Sequence, residues 1–96
     1  MEFEWDPAKS QWTLENRGFD FFRAARVFAD PLRLDRIDTR RAYGEERRQT
    51  VGRVETSIYF VAYTIRGDNV RIISARIAHE NEREDYWSES SQSTPD

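Results

Sequence analysis

The stretch SIYFVAYTIRGDNVRIISARI, Ser57 to Ile77, decides how the rest of the chain must be read. Two β-rich runs flank Arg66-Gly67-Asp68-Asn69. A glycine at the first central position of a two-residue loop suits the hairpin turns whose twist matches that of the strands. The turn predicts that Arg66 faces Asn69 and that pairing runs back regularly from there. Ile73 then faces Ala62, Ala75 faces Phe60 and Ile77 faces Ile58, all on one face. On the other face Ile72 lies opposite Tyr63, Ser74 opposite Val61 and Arg76 opposite Tyr59. The first face is aliphatic and is expected to pack on helices, burying Phe60, Ala62, Ile73 and Ala75. The second combines tyrosines, Ser74 and Arg76 and reads as a surface that receives a ligand. Arg71 stands five residues from Arg76, so a regular strand sends the two to opposite faces. Only a bulge, or a position at the strand's end, brings both to one ligand.

Outward from the hairpin, the N-terminal third is helical. In WDPAKSQWTLENRG, Asp6 is a cap, Pro7 suits the first helical position and Gly18 ends the helix. In FDFFRAARVFADP, Asp20 is the cap and Phe21, Ala24, Ala25 and Phe28 recur at helical spacing up to Asp30-Pro31. Met1–Trp5 reads as a short strand or an extended lead-in. LRLDRID is a weak strand, Gly44 marks a turn, and ERRQTVGRV is a further β-rich run. The loop around Arg53–Thr56 fits two, three or four residues, which leaves open the face that Arg47 shares. His79–Trp87 reads as a short final helix. The expected fold class is α+β: two N-terminal helices on an antiparallel sheet of three to four strands, plus the short C-terminal helix. Residues 1–87 form one domain, and residues 88–96 form a disordered polar tail.

Composition narrows the function classes. No run approaches the roughly 18 apolar residues of a membrane span, and the first residues do not read as a signal peptide, so the expected location is the cytoplasm. Without cysteine there is no disulfide framework, thiolate zinc site or cysteine nucleophile. Neither a glycine-rich phosphate loop nor a zinc-ligand set occurs, so no cofactor and no metal are expected. The net charge is −3, but six acids and one arginine from Glu80 onward carry −5, leaving +2 on residues 1–79. The cations are fourteen arginines and one lysine. The arginine fork binds phosphate or carboxylate through two parallel contacts, which lysine cannot do.

Five pieces in order resemble the BrnT family of type II toxin–antitoxin toxins: FEWDPAK at Phe3–Lys9, RVFADP at Arg26–Pro31, YGEERRQTVG at Tyr43–Gly52, RIISARIA at Arg71–Ala78 and EREDY at Glu82–Tyr86. The resemblance implies a RelE-like ribonuclease fold, growth arrest by RNA cleavage, and neutralisation by a BrnA-like antitoxin carrying a ribbon-helix-helix DNA-binding segment. Operator DNA is then bound only through the toxin–antitoxin complex. The family's KHG motif stands here as Asn16-Arg17-Gly18, and a position where the family has a small hydroxyl residue is His79.

Metal-independent RNA cleavage needs a base for the ribose 2′-hydroxyl, cations for the crowded phosphorane and a proton for the departing 5′-oxygen. Arg47 and Arg76 match family arginines and suit the electrostatic role. Glu45 is either a base or an orienting partner for Arg47. His79 is the one histidine, the residue type whose unperturbed pKa best suits proton transfer near neutrality. These four are the catalytic candidates. Arg71 and Arg17 suit flanking phosphates, and Tyr59 and Tyr63 suit stacking on bases. Two readings follow: a ribonuclease toxin, or a non-catalytic module that binds its antitoxin and takes part in operon repression.

Overall fold

Each predicted helix start in the N-terminal third is closed by the aspartate that marks it. Asp6 Oδ1 accepts from the Ala8 N–H at 2.9 Å, and Asp20 Oδ1 accepts from the Arg23 N–H at 3.0 Å. Gly18 ends the first helix at φ 85, its N–H bonded to the Leu14 carbonyl. That left-handed turn is one glycine adopts without strain. The computed structural model describes residues 2–39 and 44–93, with side chains to residue 90. Its elements are β1 (Phe3–Trp5), α1 (Pro7–Arg17), α2 (Phe21–Ala24) running on into a 3-10 turn (Ala25–Ala29), β2 (Leu34–Asp38), β3 (Arg47–Val54), β4 (Ser57–Arg66), β5 (Asn69–Ile77) and α3 (Glu80–Ser93). The second helix is therefore α-helical for one turn only and then tightens. Tyr43, where one of the family-like pieces begins, lies outside the described residues; Gly44 beside it sits in a bend at φ 77.

The class is α+β, with a five-stranded sheet in the order β1-β5-β4-β3-β2. It is larger than expected and mixed. The N-terminal lead-in is a true strand, pairing in parallel with β5, while the other pairs are antiparallel. The β3–β4 loop has two residues, Glu55 and Thr56, because Val54 pairs with Ser57. α3 extends six residues past the Trp87 end expected for it, to Ser93. The segment read as a tail from residue 88 thus carries the helix's last turns, and residues 94–96 lie outside the described residues.

The predicted hairpin turn is present, with Gly67 at φ 59 and Arg66 paired to Asn69. The register beyond it is not the regular one. It holds as far as Tyr63 opposite Ile72, then shifts by one residue, so that Ala62 faces Ser74, Val61 faces Ala75, Phe60 faces Arg76 and Tyr59 faces Ile77. Ile73 is the extra residue of a β-bulge. The faces correct accordingly. Tyr59, Val61, Tyr63, Val70, Ile72 and Ala75 form the core against Phe19, Phe21, Ala24, Ala25 and Val27. Of the four positions expected there, only Ala75 is in that core; Phe60, Ala62 and Ile73 are not. Tyr59 and Tyr63 are buried, at 3% and 4% exposure, and are not part of a ligand-receiving surface. Their hydroxyls reach the polar rim of this core: Tyr59 accepts from Arg23 Nε at 2.7 Å, and Tyr63 donates to Asp35, which Arg48 also contacts. Burial first, then Asp35, raises the Tyr63 pKa.

The opposite face of the sheet holds a second, smaller core. Val51 and Ile58, with Leu34 and Phe60 packed against them, meet Ala78 and Tyr86 beneath α3. α3 has a single fully buried aromatic, Tyr86, whose hydroxyl donates to Asp30 Oδ2 at 2.6 Å. The helix side packs tightly on the sheet at Gly52: a Cβ there would stand 2.9 Å from Val27 Cβ and 3.2 Å from both the Val27 carbonyl oxygen and Arg33 Cβ. Two of these neighbours belong to the 3-10 turn and cannot give way alone. Gly52→Ala is expected to cost about 1–3 kcal/mol as overpacking, read as a lower urea midpoint at unchanged slope.

Candidate functional site

The sheet face under α3 is ordered in cross-strand rows. Residues that pair across strands project to the same side. One row runs Asp38, Arg47, Thr64, Arg71 and Glu4 across all five strands. The next holds Arg36, Gln49, Ala62 and Ser74, and the third Leu34, Val51, Phe60 and Arg76. The bulge at Ile73 therefore brings Arg71 and Arg76 to one face despite their five-residue separation. With Arg47, two strands or about 10 Å across from Arg71, they border a trough floored by the small residues Ala62 and Ser74.

Arg76 is held firmly. Its Nη1 and Nη2 donate to the two carboxylate oxygens of Glu82 at 2.7 and 2.9 Å, and its guanidinium lies 3.9 Å from the centroid of the Phe60 ring. Glu82 Oε1 also accepts the His79 N–H at 2.7 Å. A third-position glutamate reaching back to the residue before a helix is half of a capping box, so His79 occupies the cap position of α3. Its ring is exposed beside the Arg76–Glu82 pair. The bond to Arg76 is the largest influence holding the Glu82 carboxyl below its ordinary value, with the His79 N–H adding to it against burial.

The pH dependence has a definite sign. Because the folded Glu82 pKa lies below the ordinary 4.5, its stabilisation is present above about pH 4.5 and is lost as pH falls through the lowered value. Asp30 behaves likewise: burial opposes ionisation, but hydrogen bonds from Tyr86, Arg53 and Leu32 outweigh it and lower the pKa from 3.8. Thermal melting from pH 7 to pH 3 is expected to show an acid limb that Glu82→Gln flattens. An unchanged limb in that variant would remove the pair from the account.

The other candidates are spread more widely. Glu45 makes an ion pair with Arg66 at 3.6 Å. Arg17 lies on the helix side, where Nη1 donates to the Ala75 carbonyl at 2.6 Å and the guanidinium stacks on Trp12. Tyr59 and Tyr63 point into the helix-side core. The outer face thus unites Arg47, Arg71 and Arg76, places His79 at its margin, and leaves Arg17 and both tyrosines elsewhere. Ser74 shares the face with Arg76 as the sequence reading expected, whereas Gln49 and Glu82 are neighbours that it missed. A signal for Glu82 was present: it stands three residues after a helix-start position, the spacing of a capping box.

Among the described residues no cluster of His, Asp or Glu is arranged to hold a metal ion, and no helix is long and apolar enough to cross a membrane. No curated protein matches the chain. The family model described as "Ribonuclease toxin, BrnT, of type II toxin-antitoxin system" matches residues 5–82, which include the last residue of β1, all of β2 to β5 and the first residues of α3. With Arg47, Arg71 and Arg76 all inside the matched span, the chain belongs to the BrnT family of type II toxin–antitoxin ribonuclease toxins.

Proposed function

We propose that this chain is a RelE-like endoribonuclease toxin that acts in the cytoplasm, cutting RNA on the arginine-bearing face of its sheet without a metal ion. The observation that carries the reading is the bulge at Ile73, which gathers Arg71 and Arg76 on the face of Arg47. The ribose 2′-oxygen attacks the adjacent phosphorus and the 5′-oxygen departs, leaving a 2′,3′-cyclic phosphate and a 5′-hydroxyl. Arg47 and Arg76 meet the charge that builds on the phosphorane, and Arg71 holds a flanking phosphate. His79, at the margin beside Arg76, takes the 2′-hydroxyl proton, and the departing 5′-oxygen takes one up from solvent water. Glu45 acts through Arg66 at the edge of the face. Membership of a type II toxin family implies an antitoxin partner. In this proposal the partner is BrnA-like, carries a ribbon-helix-helix segment, and brings the complex to operator DNA.

The purified chain, incubated with RNA in EDTA, is expected to yield cyclic-phosphate ends, and added antitoxin is expected to stop the reaction. Intact RNA in both the presence and the absence of divalent ions would overturn the proposal. His79→Ala is expected to lower the cleavage rate by about 10²-fold. A rate unchanged from wild type would exclude the histidine.

The double contact between Glu82 and Arg76 supports one other reading. There Arg76 is a staple for α3, and the chain binds its antitoxin without cleaving RNA. Expression without the antitoxin separates the two, since only the enzyme arrests growth with loss of RNA.

A further inference from the structure

Between the outer face of the sheet and α3 lies a cavity of about 120 Å³, floored by Leu34, Val51 and Phe60 and rimmed by Gln49, Asn81 and Asp85. It has the scale of one aromatic ring, since cavities of roughly 150 Å³ hold benzene, so a nucleobase would enter by the edge of its six-membered ring, with the rest of the base projecting through the open side. Its floor is apolar and flat-sided: one side of the Phe60 ring is taken by Arg76, and the ring also lines the cavity. The rim is polar, and three of its side chains are already engaged: Asp35 with Arg48, Arg36 with Gln49 and Glu82 with Arg76. Gln49 is buried, and its Oε1 accepts from Arg36 Nε at 2.8 Å. That bond fixes the amide's orientation and leaves its two N–H donors for another group. Asn81 and Asp85 stand one helical turn apart on the same side of α3, and Asp85 makes no ion pair among the described residues.

An apolar slot with a carboxylate acceptor and an amide donor on its rim discriminates among flat heterocycles. Guanine presents two adjacent donors, N1–H and N2–H, that one carboxylate accepts together, and an O6 acceptor for an amide N–H. Adenine and cytosine offer one amino group, and uracil would set a carbonyl oxygen against the carboxylate. We propose that this cavity is a guanine subsite, with Asp85 accepting N1–H and N2–H and Gln49 donating to O6. Arg76, on the border of the cavity, then lies where the phosphate attached to that nucleoside enters the trough. The inference rests on the proposal that this face receives RNA, and it assigns the base that the face selects.

The test is titration of the isotopically labelled full chain with guanosine 3′-monophosphate and with uridine 3′-monophosphate, read by amide chemical shifts. Guanosine is expected to move the amides of Leu34, Val51, Phe60 and Asp85, with an affinity roughly 5- to 100-fold above that of uridine, the range of one bidentate base contact. Asp85→Asn, at an exposed position, is expected to erase that preference while leaving uridine binding unchanged. Equal affinities, shifts confined to the row of Arg47 and Thr64, or an undiminished preference in the variant would each overturn the subsite. Because no turnover is needed, the two proposals fail separately. Guanosine binding by a chain that never cuts RNA keeps the subsite and removes the ribonuclease, and cleavage with no guanosine preference does the reverse.

Discussion

Arg76→Ala is expected to lower RNA cleavage by roughly 10²–10³-fold, the loss that follows removal of one donor aimed at developing charge. The guanidinium is held on two sides, by the Phe60 ring and by both Glu82 oxygens, so its position is set before substrate arrives. Arg47→Ala should act to a similar degree from the other side of the trough. A purely structural Arg76 would give a different pattern, because its loss would be felt in folding through the uncompensated Glu82 carboxylate. The double variant Arg76→Ala with Glu82→Gln removes that charge. It should regain thermal stability and remain inactive. Arg76→Lys should recover little activity, since a lysine cannot make the paired contacts of the fork. Antitoxin binding measured on the same proteins provides the check on folding. Full cleavage by both alanine variants would end the assignment.

Tyr86→Ala is expected to destabilise the protein by about 3–5 kcal/mol, as for other large aromatic truncations in a core. Tyr86 is 1% exposed, fills the small core with Val51, Ile58 and Ala78, and is the one fully buried aromatic that α3 contributes. Its hydroxyl also reaches across to Asp30, which holds the chain at the end of the 3-10 turn and accepts the Arg53 N–H at 2.9 Å. Tyr86→Phe keeps the ring and loses only that bond to a charged acceptor, so about 1.5–3 kcal/mol is expected. Urea denaturation gives both values. A loss below about 1 kcal/mol for the alanine variant would mean that α3 is held chiefly by the Arg76–Glu82 pair. In either variant the loosened α3 uncovers the outer face, and the cavity beneath it should lose its ligand selectivity first.

Much of the fold was legible because local chemistry specified it. Asp6, Asp20 and Gly18 bound their helices as caps, and Gly67 set the hairpin turn, each through contacts within a few residues. The arginines of the site were legible as chemistry, since a planar fork on a β-rich run has few structural uses. The face of each strand was not. In SIYFVAYTI nearly every position is apolar, because β4 lies mid-sheet with the helix-side core on one face and α3 on the other. A strand covered on both sides carries no period of two to show which side is which. Tyrosine adds to the ambiguity: Tyr59 and Tyr63 bury their rings while Arg23 and Asp35 satisfy their hydroxyls, partners that come from 36 and 28 residues away. The bulge was equally hidden. Its only local trace is the adjacent pair Ile72-Ile73, yet it turns the second half of β5 so that Ala75 meets the helices while Arg76 meets Phe60. The sequence by itself determined the helix caps, the hairpin turn and the residue types able to meet a phosphate. Only the tertiary structure decided that Arg47, Arg71 and Arg76 share a face, because that depends on which packing of two competing cores a one-residue shift in register satisfies.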